Sequence, residues 1–275
     1  ATRAGRAGVV FLGDSLTHGS LSANFLEVLH HRHEGLGPLV NCGMNMRPSK
    51  DLLSGSLLED AAGLSPTRGV AVLIGTNDII RYTLLPSVLR PPISEFCRTY
   101  HETMSEIVRR LQQRGARQVM LASAPLLGED PESEEGQLGM RLAEEVRGVV
   151  AKNPTCQYVP LYEATISHVQ DAAAAGKLAP HSRAYTAVET FALLCVLPWQ
   201  LYGARQSLSA LQEQQGLELT VDLVHFGPHF AHIAAKLFAE ALGLNAESGA
   251  SSAPEQPVEN QYSGGGGTVV AAPKK

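Results

Sequence analysis

A doubly wound α/β sandwich is the fold predicted by this sequence, and three observations carry the expectation. Short apolar runs alternate with stretches of helical periodicity from residue 8 to residue 242. Two of these runs, Val9-Val10-Phe11-Leu12 and Gly69 to Gly75, are apolar without alternation, as strands covered by helices on both faces must be. The runs end in Gly, Asp, Asn and Ser, which make the turns at the carboxyl edge where an open parallel sheet binds its ligands.

The first strand runs from Gly8 to Leu12 and ends in Gly13-Asp14-Ser15, with a helix-compatible stretch following through about His33. Pro38 to Cys42 is a second short strand, Pro48 to Leu64 is helical, and Gly69 to Gly75 is the third strand. Phe96, Tyr100, Met104, Ile107 and Leu111 recur at helical spacing, with Ser94 placed to cap that helix and Gly115 to stop it. Gln118 to Ser123 is the fourth strand. Glu134 to Val150 is a helix with Leu138, Leu142, Val146 and Val149 on one face, and Tyr158 to Leu161 is a weak fifth strand.

Thr165 to Gly216 reads as a helical excursion over one edge of the sheet, a candidate lid. Within it, Leu193, Leu194, Val196, Leu197 and Trp199 are read as core packing, with an acyl pocket as the alternative. The last helix runs from Pro228 to about Leu242, with Phe230, Ile233, Leu237 and Ala241 on one face. Residues 1–245 therefore form one domain. Residues 246–275 are small, polar or rich in Gly and Pro and predict a disordered tail.

Composition narrows the function. At 275 residues, with 44% hydrophobic and 18% charged residues, the chain has the make-up of one globular domain. A net charge of -5 gives no long-range attraction to phosphate backbones or anionic membranes, so nucleic acid is not an expected partner. The 4 cysteines, Cys42, Cys97, Cys156 and Cys195, form no C-x-x-C pair and read as mostly buried thiols. Ala184 to Tyr202 is interrupted by Glu189, Pro198 and Gln200, so no bilayer span is expected. Without an N-x-[ST] acceptor the chain does not read as a secreted glycoprotein. A cytoplasmic location is the default expectation, although the chain begins without methionine and an earlier segment is left open.

The turns carry the chemistry. Gly13-Asp14-Ser15-Leu16-Thr17 follows the first strand, Asn41-Cys42-Gly43 the second and Gly75-Thr76-Asn77-Asp78 the third. A spatial order 2-1-3 makes these turns neighbours. Asp222-Leu223-Val224-His225 sets a carboxylate three residues before a histidine. A serine hydroxyl attacks an acyl carbon only when a base takes its proton, and histidine suits that task because it titrates near neutrality. A carboxylate on the other ring nitrogen fixes the tautomer, and preorganised N–H donors hold the oxyanion. Ser15, His225 and Asp222 fit the first three roles. The N–H groups of Ser15 and Gly43 and the amide of Asn77 fit the last.

These four blocks, in this order, resemble the SGNH hydrolases, also called the GDSL esterase/lipase family. The resemblance covers roughly residues 8 to 242. It implies Ser15 as nucleophile, Gly43 and Asn77 as oxyanion donors, Asp222 as orienter and His225 as base. It further implies ester or thioester hydrolysis without a metal or organic cofactor, on a flavodoxin-like three-layer fold with a mostly parallel five-stranded sheet. Two departures from the family are Met44-Asn45 after Gly43 and Phe226-Gly227-Pro228 after His225. An α/β-hydrolase elbow, G-x-S-x-G, is absent because position 17 is threonine.

The expected partner is a small ester or acyl substrate. The alternatives are an acyltransferase on the same site, a non-catalytic binding protein, and a metal site built from His225, His229 and His232. Gly227-Pro228 interrupts that last set, so the three histidines need not share a face.

Overall fold

The computed structural model describes residues 8–64, 66, 68–176, 196, 197 and 199–244. Its sheet contains β1 (Val9–Gly13), β2 (Leu39–Gly43), β3 (Gly69–Leu73), β4 (Val119–Ala122) and β5 (Cys156–Val159). The spatial order is β2-β1-β3-β4-β5, and every pairing is parallel. Successive side chains point to opposite faces of a strand, so each strand feeds two cores. Val10, Leu12, Val70, Val72, Val119 and Leu121 enter one core. Val9, Phe11, Ala71, Leu73, Met120 and Ala122 enter the other. The sheet is thus the middle layer of an α/β/α sandwich.

Helices α1 (Ser15–His18), α2 (Phe25–Arg32), α3 (Leu57–Gly63), α4 (Thr76–Leu84), α5 (Ile93–Gln113), α6 (Glu134–Ala151) and α7 (Leu161–Ala174) cover the two faces. Two further helices, Leu208–Gln215 and Pro228–Ala241, complete the described chain. Residues of α3, α4, α5 and α6 fill the first core. Those of α2, α7 and the Pro228–Ala241 helix fill the second.

Several boundaries differ from expectation, each for a local reason. The helix expected through His33 is two helices, because Gly19 turns left-handed at φ 80° and Asn24 caps a new start by accepting from the Leu26 N–H. The 48–64 helix is likewise a 3₁₀ turn, Ser49–Leu53, followed by α3, with Gly55 at φ 69° between them. Ser94 is not a cap. Extended Pro92 holds the N-cap position and α5 starts at Ile93. β5 ends at Val159 and Leu161 already opens α7, since Pro160 has no N–H for the ladder.

The last helix turns a different face inward. Phe230, Ala234, Phe238 and Ala241 are buried, while Ile233 and Leu237 only flank the core. Small alanines allow close packing, and Phe238 joins Phe11 and Phe25 at centroid distances of 5.3 and 5.2 Å. In the helical excursion Leu197 is buried, but Val196 and Trp199 are exposed rather than core. Residues 177–195 and 198 of the proposed lid, Leu193, Leu194 and Cys195 among them, and the tail after residue 245 lie outside the described residues. Cys42 and Cys97 are buried free thiols and Cys156 is half-buried.

Candidate active site

The register brings the chemistry together. Gly13 pairs with Gly43 on one side and Leu73 on the other, so the turns after β1, β2 and β3 leave the sheet at one level. Asp14 caps α1 by accepting from the Leu16 N–H at 3.0 Å, which makes Ser15 the first residue of a one-turn helix that ends at Gly19. The Ser15 side chain is thereby held at the carboxyl end of β1, an interior strand of the sheet.

His225 reaches it from the far end of the chain. Its Nε2 lies 2.9 Å from Ser15 Oγ, and its Nδ1 lies 2.7 Å from Asp222 Oδ2. His225 is 1% exposed, so both ring contacts are shielded from competing water. The other Asp222 oxygen accepts from the N–H groups of Val224, at 3.0 Å, and His225, at 2.7 Å. This tight turn forces Leu223 to φ 70°, a conformation that costs a non-glycine residue energy and persists only where its surroundings impose it. Asp222 therefore fixes both the backbone and the ring of His225.

The three histidines considered as a metal set point to three places. His225 faces Ser15, His229 lies against His168 with the rings tilted and 4.9 Å between centroids, and His232 Nδ1 lies 2.9 Å from an Arg32 nitrogen.

Two of the candidate oxyanion donors, the Gly43 N–H and the Asn77 amide, are engaged with neighbouring oxygens. The Gly43 N–H donates to Asn41 Oδ1 at 2.9 Å. Asn41 Nδ2 in turn donates to the carbonyls of Thr17 and His18, tying β2 to the end of α1. A Cβ on Gly43 would sit 2.3 Å from the His18 nitrogen. Glycine is thus demanded there by the turn after Ser15. The Asn77 amide donates to the Arg47 carbonyl at 3.2 Å and to Asp14 Oδ2 at 3.4 Å, both long contacts. The departure Met44-Asn45 lies on the rim: Met44 is exposed, and Asn45 Nδ2 donates to Ser20 Oγ at 3.1 Å.

Two residues here carried no role in the sequence reading. Arg47 is buried and donates through one nitrogen to the carbonyls of Gly13, at 3.0 Å, and Cys42, at 2.7 Å, bracing β1 against β2. Asn41 is the other. A buried arginine gives no local signal, because its partners are 34 and 5 residues away. Asp78 is a turn-holding residue, its carboxylate accepting from the Ser49 N–H at 2.8 Å and the Ser49 hydroxyl at 2.7 Å. Burial pushes the Asp78 carboxyl up to about 6.

Asp14 is fully buried, and burial raises its carboxyl from 3.8 to about 7, against the opposing pull of the Leu16 N–H and His225. Between about pH 4 and 7 the folded state binds more protons at Asp14 than the unfolded state does, so this group's contribution to stability falls as pH rises through that window. Asp14→Asn is therefore expected to melt above wild type at pH 8, with the gap closing towards pH 4. The same change turns a donor towards the Asn77 amide and should lower turnover. Melting temperature against pH, with kcat at pH 8, checks both.

A parallel five-stranded α/β/α sandwich, with Ser, His and Asp hydrogen-bonded in series beyond its carboxyl edge, is the architecture of an SGNH-type hydrolase. Residues 11–187 match the sequence pattern of the GDSL-like Lipase/Acylhydrolase family, a span that holds Ser15, Gly43 and Asn77 and stops short of Asp222 and His225. The chain belongs to that family and is a carboxylic ester hydrolase.

Among solved structures, an alpha/beta hydrolase enzyme from the metagenome of Lake Arreo, Spain, is 19% identical with a TM-score of 0.58, over 87% of this chain and 97% of that one. An acetylxylan esterase of Geobacillus stearothermophilus is 16% identical with a TM-score of 0.58, over 86% and 94%. A second acetylxylan esterase, AlAXEase, is 15% identical with a TM-score of 0.58, over 85% and 98%. At these identities the likeness is one of fold. No curated protein matches the chain.

Proposed function

We propose that this protein cleaves carboxylic esters through an acyl-enzyme formed on Ser15. The observation that carries the reading is the unbroken series Ser15 Oγ, His225 Nε2, His225 Nδ1, Asp222 Oδ2, with contacts of 2.9 and 2.7 Å. His225 takes the hydroxyl proton as Ser15 Oγ bonds to the acyl carbon, and Asp222 stabilises the imidazolium that results. The tetrahedral oxyanion takes over the N–H groups of Ser15 and Gly43 and the Asn77 amide. Donors held at 2.9 to 3.4 Å by neighbouring oxygens are preorganised and are recruited by the stronger acceptor. His225 then returns its proton to the leaving alkoxide. Water, deprotonated by the same ring, releases the acid and restores Ser15.

Two of the structures with this fold are acetylxylan esterases, which favours a short acyl group such as acetyl as the first substrate to try. Residues 1–245 are read as the catalytic domain. No helix among the described residues is long and apolar enough to cross a membrane.

A fluorophosphonate should label Ser15 once per chain, and EDTA should leave ester turnover unchanged. Chromogenic acetyl esters, longer esters and thioesters, run with and without an added acceptor alcohol, separate hydrolase from thioesterase and acyltransferase. Loss of turnover on chelation with Ser15 unlabelled would defeat the proposal.

A further inference from the structure

The turn that carries Asp222 and His225 is gripped from outside the triad. Glu129 lies in the segment after β4, 89 to 91 residues earlier in the chain, and is buried. Its Oε1 accepts from the N–H groups of Glu218, Leu219 and Thr220 at 3.0, 2.8 and 3.2 Å, and from the Thr220 hydroxyl at 3.2 Å. Oε2 shares the Glu218 N–H at 3.0 Å. The Thr220 hydroxyl also accepts from the N–H of Leu223 at 3.2 Å, and the adjacent Gly128 N–H donates to the Leu223 carbonyl at 2.7 Å. Leu223 is the residue forced to φ 70° between Asp222 and His225.

The segment after β4 thus holds the strained residue directly through Gly128 and indirectly through Glu129 and Thr220. Within the turn, the Val221 N–H bonds to the His225 carbonyl at 2.9 Å and the Gly227 N–H to the Leu219 carbonyl at 2.7 Å. These bonds tie the turn into one unit. Ser15 stands on the far side of the contact, on the β1 turn. Its separation from His225 is fixed by how the unit seats on the sheet, and Glu129 joins that unit to the β4 edge.

We infer that Glu129 is a positioning residue for the reaction, setting the reach of His225 to Ser15 through Thr220 and Leu223. The inference rests on the reading of Ser15, Asp222 and His225 as the triad. A carboxylate is needed because three consecutive N–H groups and a hydroxyl converge on it. Ionised, it offers two acceptor oxygens and charge-assisted bonds. Glutamine has the same size but a single acceptor oxygen, and its amide would face the Glu218 N–H donor to donor. A misplacement of about 1 Å at a reacting pair is enough to cost on the order of 10²-fold in rate.

Glu129→Gln and Thr220→Val are compared with wild type for kcat, KM, melting temperature and the rate and final extent of Ser15 labelling by a fluorophosphonate. The final extent counts competent sites. Glu129→Gln should lower kcat per labelled site by about 10-fold to 10²-fold with KM within about twofold, and slow labelling in parallel. Thr220→Val should give a smaller loss of the same kind, and the double variant less than the product of the two, because both act on one link.

A lowered melting temperature with unchanged kcat per labelled site would make Glu129 purely structural and overturn the inference. Wild-type protein that neither labels nor turns over would overturn the triad reading, and this inference with it. Should Glu129→Gln fail to fold, Thr220→Val decides: unchanged kcat per site refutes, a selective kcat loss supports.

Discussion

His225→Ala is expected to lower kcat by on the order of 10⁶-fold, the range met when the base of a serine triad is removed. The ring bonds to both Ser15 Oγ and Asp222, at 2.9 and 2.7 Å. Without it the hydroxyl keeps its proton and the leaving group departs unprotonated. Asp222→Ala should cost less, on the order of 10⁴-fold, because an imidazole remains. That variant also loses the two N–H contacts that shape the Leu223 turn, so a fall in melting temperature should accompany it. For wild type, activity should drop on acidification, since a protonated His225 cannot accept the serine proton. Steady-state kinetics on protein titrated for active sites gives all of these, and an unchanged kcat in His225→Ala would remove His225 as the base.

Asn77→Ala is expected to lower kcat by on the order of 10²-fold to 10³-fold, about 2.7–4 kcal/mol, with little change in KM. The carbonyl oxygen of a bound ester carries little charge and the tetrahedral oxyanion carries a full one, so a donor aimed at it acts mainly on kcat. Asn77 also links α4 to Arg47 and Asp14, which sets up the competing outcome. If turn-holding were its whole role, the alanine variant would melt earlier yet keep its kcat per labelled Ser15. Asn77→Asp separates the readings further. It puts a carboxylate beside Asp14 and Asp78, two acids already raised to about 7 and about 6 by burial, and at the proposed oxyanion position. It should be at least as damaging as alanine.

The sequence by itself determined the strand-helix alternation, the order of the turns and the identity of the residues placed at them. These depend on properties that act over a few residues: apolar runs, turn chemistry, and the Asp222 to His225 spacing that lets one carboxylate meet both the backbone and the ring. Tertiary structure decided the rest. It chose the face of the last helix that packs inward, because alanines and Phe238 fit the Phe11 and Phe25 cluster better than Ile233 and Leu237 do. It set the reason for glycine at position 43, where the neighbour is the His18 backbone. It also assigned partners to Arg47 and Glu129, whose bonds span 34 and 89 to 91 residues. A buried charge is tolerated only where several donors or acceptors converge, and that convergence is a property of the packed sheet and its turns, which no local pattern of residues encodes.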